Sequence, residues 1–159
     1  MTSPSPASDA RIDTHITDQP LPPLEADDSQ QELGAELIFH GRVRGSEDGR
    51  AIVALEYERY EGLAEKELER VARDAAQRFP IDRLVCWHRV GRVEVGEASM
   101  RVVVWSCHRR EGLQAMDWFI SALKQRVPFW KWAVTADGER FPSTCGHHEE
   151  EHDHSPADS

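Results

Sequence analysis

Met100-Arg101-Val102-Val103-Val104-Trp105-Ser106, then Cys107-His108-Arg109-Arg110, then a long segment from Glu111 to Val127 that stops at Pro128: this stretch decides the fold class. The first run is dense in β-branched residues and reads as a strand. From Glu111 to Val127 the apolar residues Leu113, Met116, Ile120, Leu123 and Val127 recur at helical spacing. Proline lacks the amide hydrogen a helix needs, so Pro128 ends the segment. Phe129 to Phe141 then reads as a hairpin turning at Ala136-Asp137-Gly138. A strand, a helix and a hairpin in direct succession point to a mixed α and β domain.

Working outward toward the N-terminus, the same alternation repeats. Leu37 to Val43 and Ala51 to Tyr57 read as strands, with Gly45-Ser46-Glu47-Asp48-Gly49 between them as a flexible loop. Leu63, Leu68, Val71, Ala75 and Phe79 fall on one helical face, and Pro80 closes that helix. Leu84 to Val90 is a further strand, and a short Val-Glu-Val segment lies between Gly91 and Gly96. The sum is an α+β fold, a sheet with two main helices on one face.

The chain has 159 residues, enough for one domain with a real core. No run approaches the length of a membrane span, and Met1 to Gln31 does not read as a secretory signal. Cys86, Cys107 and Cys145 are far apart and form no CxxC pair, so a reduced, cytoplasmic setting is expected. The net charge of −10 sits in the ends: residues 1–33 carry seven acids and one arginine, and residues 143–159 carry five acids and no Lys or Arg. Residues 34–142 hold 17 acids against 18 Lys and Arg, so an anionic ligand is not excluded. Residues 1–33 are expected to be a disordered acidic tail, 34–142 the folded domain, and 143–159 a disordered tail rich in His and acids. The last holds Cys145, His147, His148, His152 and His154, which could take zinc or nickel weakly or simply be solvated. No metal site or cofactor is assigned, and neither nucleic acid nor membrane is expected as a partner.

Three features could carry chemistry. The chain has only three lysines, Lys66, Lys124 and Lys131. A lysine can be tuned by burial into a proton donor or acceptor where arginine cannot. Lys131 lies between Trp130 and Trp132, which could desolvate it. Lys124 lies in the last turn of a helix, where a cation also suits the helix dipole without any chemical role. Cys107-His108-Arg109-Arg110 opens the same helix and suits a phosphate, or is ordinary surface. Arg42 and Arg44 share one strand face beside a glycine-bearing loop and could hold an anion, or be solvated.

These residues belong to a longer set of matching motifs. Phe39-His40-Gly41-Arg42-Val43-Arg44, Ala54-Leu55-Glu56-Tyr57-Glu58, His88-Arg89-Val90-Gly91-Arg92-Val93-Glu94-Val95-Gly96-Glu97, His108-Arg109 and Leu123-Lys124 leading to Val127-Pro128-Phe129-Trp130-Lys131 together resemble the molybdopterin synthase catalytic (large) subunit family. The resemblance covers about Gly34 to Phe141. It implies an α/β-hammerhead-like fold with antiparallel sheets. It implies a sulfurtransferase that converts cyclic pyranopterin monophosphate to molybdopterin. The two dithiolene sulfurs come from the C-terminal thiocarboxylate of a small ubiquitin-like carrier ending in Gly-Gly. It implies a homodimer of large subunits within a heterotetramer.

By position it implies Lys124 and Lys131 as catalytic residues. Arg42, Val43, Arg44, His108, Arg109, Lys124, Lys131, Trp132 and Ala133 are implied as substrate-binding. Trp132 and Ala133 depart from the basic residue and Glu frequent in the family at those places. The alternative is a non-enzymatic α+β module that binds a phosphorylated ligand or a protein partner.

Overall fold

The computed structural model describes residues 10–143 apart from Asp28. The tail rich in His and acids, with Cys145, His147, His148, His152 and His154, lies outside the described residues. Among the described residues, ten strands and two helices follow one another as β1 (Arg11–Thr17), β2 (Ala35–Arg42), β3 (Ser46–Glu47), β4 (Arg50–Ala51), β5 (Ala54–Arg59), α1 (Leu63–Arg78), β6 (Arg83–Arg89), β7 (Gly91–Glu94), β8 (Ala98–Ser106), α2 (Arg109–Arg126), β9 (Phe129–Val134) and β10 (Arg140–Pro142).

Two four-stranded sheets divide the molecule. The first runs β1-β6-β8-β2 and the second β10-β9-β5-β7. All pairings are antiparallel except β1 with β6, which is parallel from Arg11 opposite Arg83 to Thr17 opposite Arg89. Alternate residues of β8 and β6 (Met100, Val102 and Val104; Leu84 and Cys86) point to one face. There they meet Leu68, Val71 and Ala75 of α1 and Met116, Phe119 and Leu123 of α2. A smaller core of Val43, Ile52, Leu55, Val93 and Ala133 backs the second sheet. Gly112 lets α2 lie close on the first sheet: a Cβ there would meet Leu37 Cδ1 at 2.5 Å and Ser106 Oγ at 2.7 Å.

Two expectations are corrected. Residues 11–17, within the stretch expected to be disordered, form strand β1. The physical reason is the alternation of Ile12, Thr14 and Ile16, whose two isoleucines pack against the main core while Arg11, Asp13 and His15 face outward. The loop over 45–49 is a tight hairpin of β3 and β4. Asp48 and Gly49 both take positive φ, 50° and 75°, the backbone a two-residue hairpin turn needs. That hairpin also buries Glu47, to 3% exposure.

Candidate active site

Where the two sheets diverge, a cavity of about 630 Å³ opens between the end of β2, the last turn of α2, and β5 and β9. Val127 and Pro128 bring the chain out of α2 directly into β9, with the Val127 amide bonding back to Leu123. This short turn places Lys124, from the helix, and Lys131, from the strand, on the wall of the same cavity. Lys124 is exposed and Lys131 half-buried.

Arg42 and Arg44 line the cavity from the other side. A shift in strand register between Gly41 and Arg42 re-aims the chain there. One Arg42 Nη donates to the Gly96 carbonyl at 2.9 Å, which fixes the side chain. Val43, between the two arginines, points into the smaller core at 3% exposure. Among the described residues, the one carboxylate on the wall is that of Glu47, which accepts from Ser143 Oγ at 2.7 Å and stands 3.9 Å from Arg44. Among the described residues, four fixed or titratable cations against one carboxylate give the cavity wall a positive field suited to an anion.

One wall is aromatic. His88, at the end of β6, stacks on Phe129 with centroids 4.0 Å apart and planes 11° from parallel. Tyr57 meets the same imidazole edge-on at 5.4 Å. The Tyr57 hydroxyl donates to Ser99 Oγ at 3.2 Å, and Ser99 Oγ donates to the Gly41 carbonyl at 3.3 Å. Burial pushes the imidazole of His88 down to about 4, helped by the charge of Lys131 and opposed by the hydrogen bond to Arg89. Burial likewise lowers His40, with Arg101 and Arg42 adding to it, and raises Tyr57.

The remaining expected site residues divide. Trp132 lines the cavity. The guanidinium of Arg140 covers its ring at 5.1 Å, itself held by Glu56 at 2.8 Å. Ala133 is fully buried in the smaller core, so it supports the strand and offers no side chain to the cavity. His108 and Arg109 are exposed at the start of α2. At 1.5 Å per helical residue, Arg109 and Lys124 are about 22 Å apart along the axis. One chain therefore does not bring His108 and Arg109 to the cavity that holds the two lysines. The sequence reading did not single out His88, Tyr57, Phe129 or Glu47. The first three stood inside matching motifs, but no local pattern tells a buried polar ring from one that faces a cavity.

The family model described as MoaE protein matches residues 16–126. The chain belongs to the MoaE family of molybdopterin synthase catalytic subunits. The family match begins inside β1, in keeping with that strand being part of the domain. The chain is 45% identical over 111 residues to the molybdopterin synthase catalytic subunit of Pyrococcus abyssi, covering 70% of this chain and 75% of that one. It is 41% identical over 109 residues to the subunit of Pseudomonas aeruginosa, covering 69% and 73%. Among solved structures, the molybdopterin synthase of Staphylococcus aureus superposes with a TM-score of 0.68 at 27% identity, covering 79% of this chain and 93% of that one. The α+β expectation stands, as two helices with sheets that are antiparallel but for one strand pair.

Proposed function

We propose that this MoaE-family chain inserts two sulfurs into cyclic pyranopterin monophosphate, taking one from the C-terminal thiocarboxylate of each of two small ubiquitin-like carriers, which are left as carboxylates. The carrying observation is that Lys124 and Lys131 reach one cavity from different elements, within a cluster of cations. Substrate phosphate and carrier terminus are both anionic. Arg42 and Arg44 supply fixed charge, and the two lysines can also move protons during thiolation and ring opening. An ammonium beside the carrier's acyl group also stabilises the charge that builds there as sulfur leaves.

The carrier reading draws support from the cavity mouth. Trp130 on the cavity wall is half exposed, and the backbone amide of Tyr60, a second exposed aromatic, donates to the Pro128 carbonyl. Such an apolar rim suits a docked partner. A Helicobacter pylori structure of similar fold, with TM-score 0.60 and 23% identity, is described as a complex of subunits 1 and 2 of molybdopterin-converting factor. The reading includes a two-fold dimer of large subunits within a heterotetramer. In it, His108 and Arg109 of one copy complete the phosphate site of the other. The setting is cytoplasmic, where Cys86 and Cys107 remain free thiols.

Lys124→Ala and Lys131→Ala are each expected to lose on the order of 10²-fold or more in conversion with thiocarboxylated carrier, with the fold and carrier binding retained. The readout is the mass of the pterin product. Full activity in both variants would overturn the assignment of the lysines. Precursor binding without any mass gain in the wild type would favour a non-enzymatic binding module.

A further inference from the structure

Among the buried polar groups on the cavity wall is one for which the lysine chemistry has no use, the imidazole of His88. It is only 5% exposed, yet it lines the cavity. Its surroundings fix both its position and its proton. Nδ1 lies 2.7 Å from the Arg89 carbonyl oxygen. A carbonyl only accepts, so Nδ1 carries the hydrogen and Nε2 keeps a bare lone pair. Phe129 covers one face of the ring and Tyr57 packs edge-on. Among the described residues nothing donates to Nε2, and Nε2 is not among the fully enclosed polar atoms without partners. The edge that meets the cavity is therefore the one bearing the free lone pair.

The rest of the wall is rich in donors: Arg42, Arg44, Lys124 and Lys131 all give hydrogen bonds and accept none. A fixed acceptor flanked by aromatic rings fits a different part of a ligand from its phosphate. It fits the ring N–H edge of a flat heterocycle.

We propose that His88 is a substrate-binding residue whose Nε2 accepts a hydrogen bond from a ring N–H of the precursor's pterin, setting which edge of the heterocycle enters the cavity. This rests on the sulfurtransferase reading above and names the group that would orient that substrate's ring. The cations alone would hold the phosphate and leave the ring free to turn over. Burial and the neighbouring Lys131 keep the imidazole uncharged, so it adds an acceptor to the site without adding a further cation.

The test uses the full chain with a carrier ending in an ordinary carboxylate, so that binding is read without turnover. His88→Phe keeps a flat ring against Phe129 and removes the acceptor. It is expected to weaken binding of the cyclic precursor about tenfold, the effect of one lost hydrogen bond to a buried partner. His88→Gln, whose amide oxygen reaches the Nε2 position, is expected to recover part of the loss. Inorganic phosphate should bind both variants as it binds the wild type. Nitrogen-15 spectra of the wild-type assembly, which need no foldable variant, should show an unprotonated Nε2 that shifts when precursor is added. Unchanged precursor affinity in His88→Phe, or an Nε2 signal that does not move, overturns the role of His88 and leaves the sulfurtransferase reading intact. Wild-type protein that binds no precursor overturns both.

Discussion

At the scale of single residues, His88 also ties stability to pH. Its imidazole is held at about 4 in the folded chain, against an ordinary value near 6.5 when unfolded. The groups facing it are Tyr57 from β5, Phe129 and Lys131 from β9, and the Arg89 carbonyl from its own strand. None of them offers a negative charge to a protonated ring. Between pH 6.5 and 4 the unfolded chain therefore binds a proton that the folded chain refuses. The contribution is fully present above pH 6.5, is lost as pH falls toward 4, and changes no further below that. From pH 7 to pH 5 the loss approaches about 2 kcal/mol. His40 is lowered too and acts in the same direction, but it is present in wild type and variant alike. Denaturant midpoints at pH 7 and pH 5 should fall further for the wild type than for His88→Gln. Parallel shifts in the two proteins would show that the imidazole is already charged in the folded state.

At the scale of elements, the helices and most strands could be read because their signals are local. The stripe from Leu113 to Val127 and the stop at Pro128 mark α2, which the structure starts at Arg109. The valines of β8 mark a central strand that is buried on both faces. Strand β1 was not legible for two reasons. Its inward residues are only Ile12, Thr14 and Ile16, set among acids, prolines and serines whose average suggests disorder. Its partner β6 is also some 70 positions away, so nothing local announces the pairing. Likewise, Glu47 reads as a loop residue until the Asp48–Gly49 turn folds it under Ser143.

Because β1 packs two isoleucines on the main core and closes the edge of β6, a chain beginning at residue 18 should lose about 2–4 kcal/mol of stability relative to one beginning at residue 10. Thermal or denaturant unfolding of the two truncations measures the difference. Equal stability would mean that the strand rests on the domain without supporting it.

At the scale of the whole molecule, α2 sets the constraint. It carries His108 and Arg109 at one end and Lys124 at the other, and a helix of this length cannot bend them into one site. If all belong to a single reaction, the cavity of one chain must be completed by the helix start of another. A two-fold dimer satisfies this twice over, since each copy gives and receives the same groups. The arrangement can be tested without a structure of the assembly. Arg109→Ala and Lys124→Ala are each expected to be nearly inactive alone. When the two variants are unfolded, mixed and refolded together, half of the dimers should be mixed. Each mixed dimer holds one site with Lys124 from one copy and Arg109 from the other, and one site lacking both. About a quarter of all sites are then whole, and conversion of the precursor should return to about a quarter of the wild-type rate. If instead each chain reacts with its own Arg109, no mixing restores activity, because every chain carries one of the two lesions.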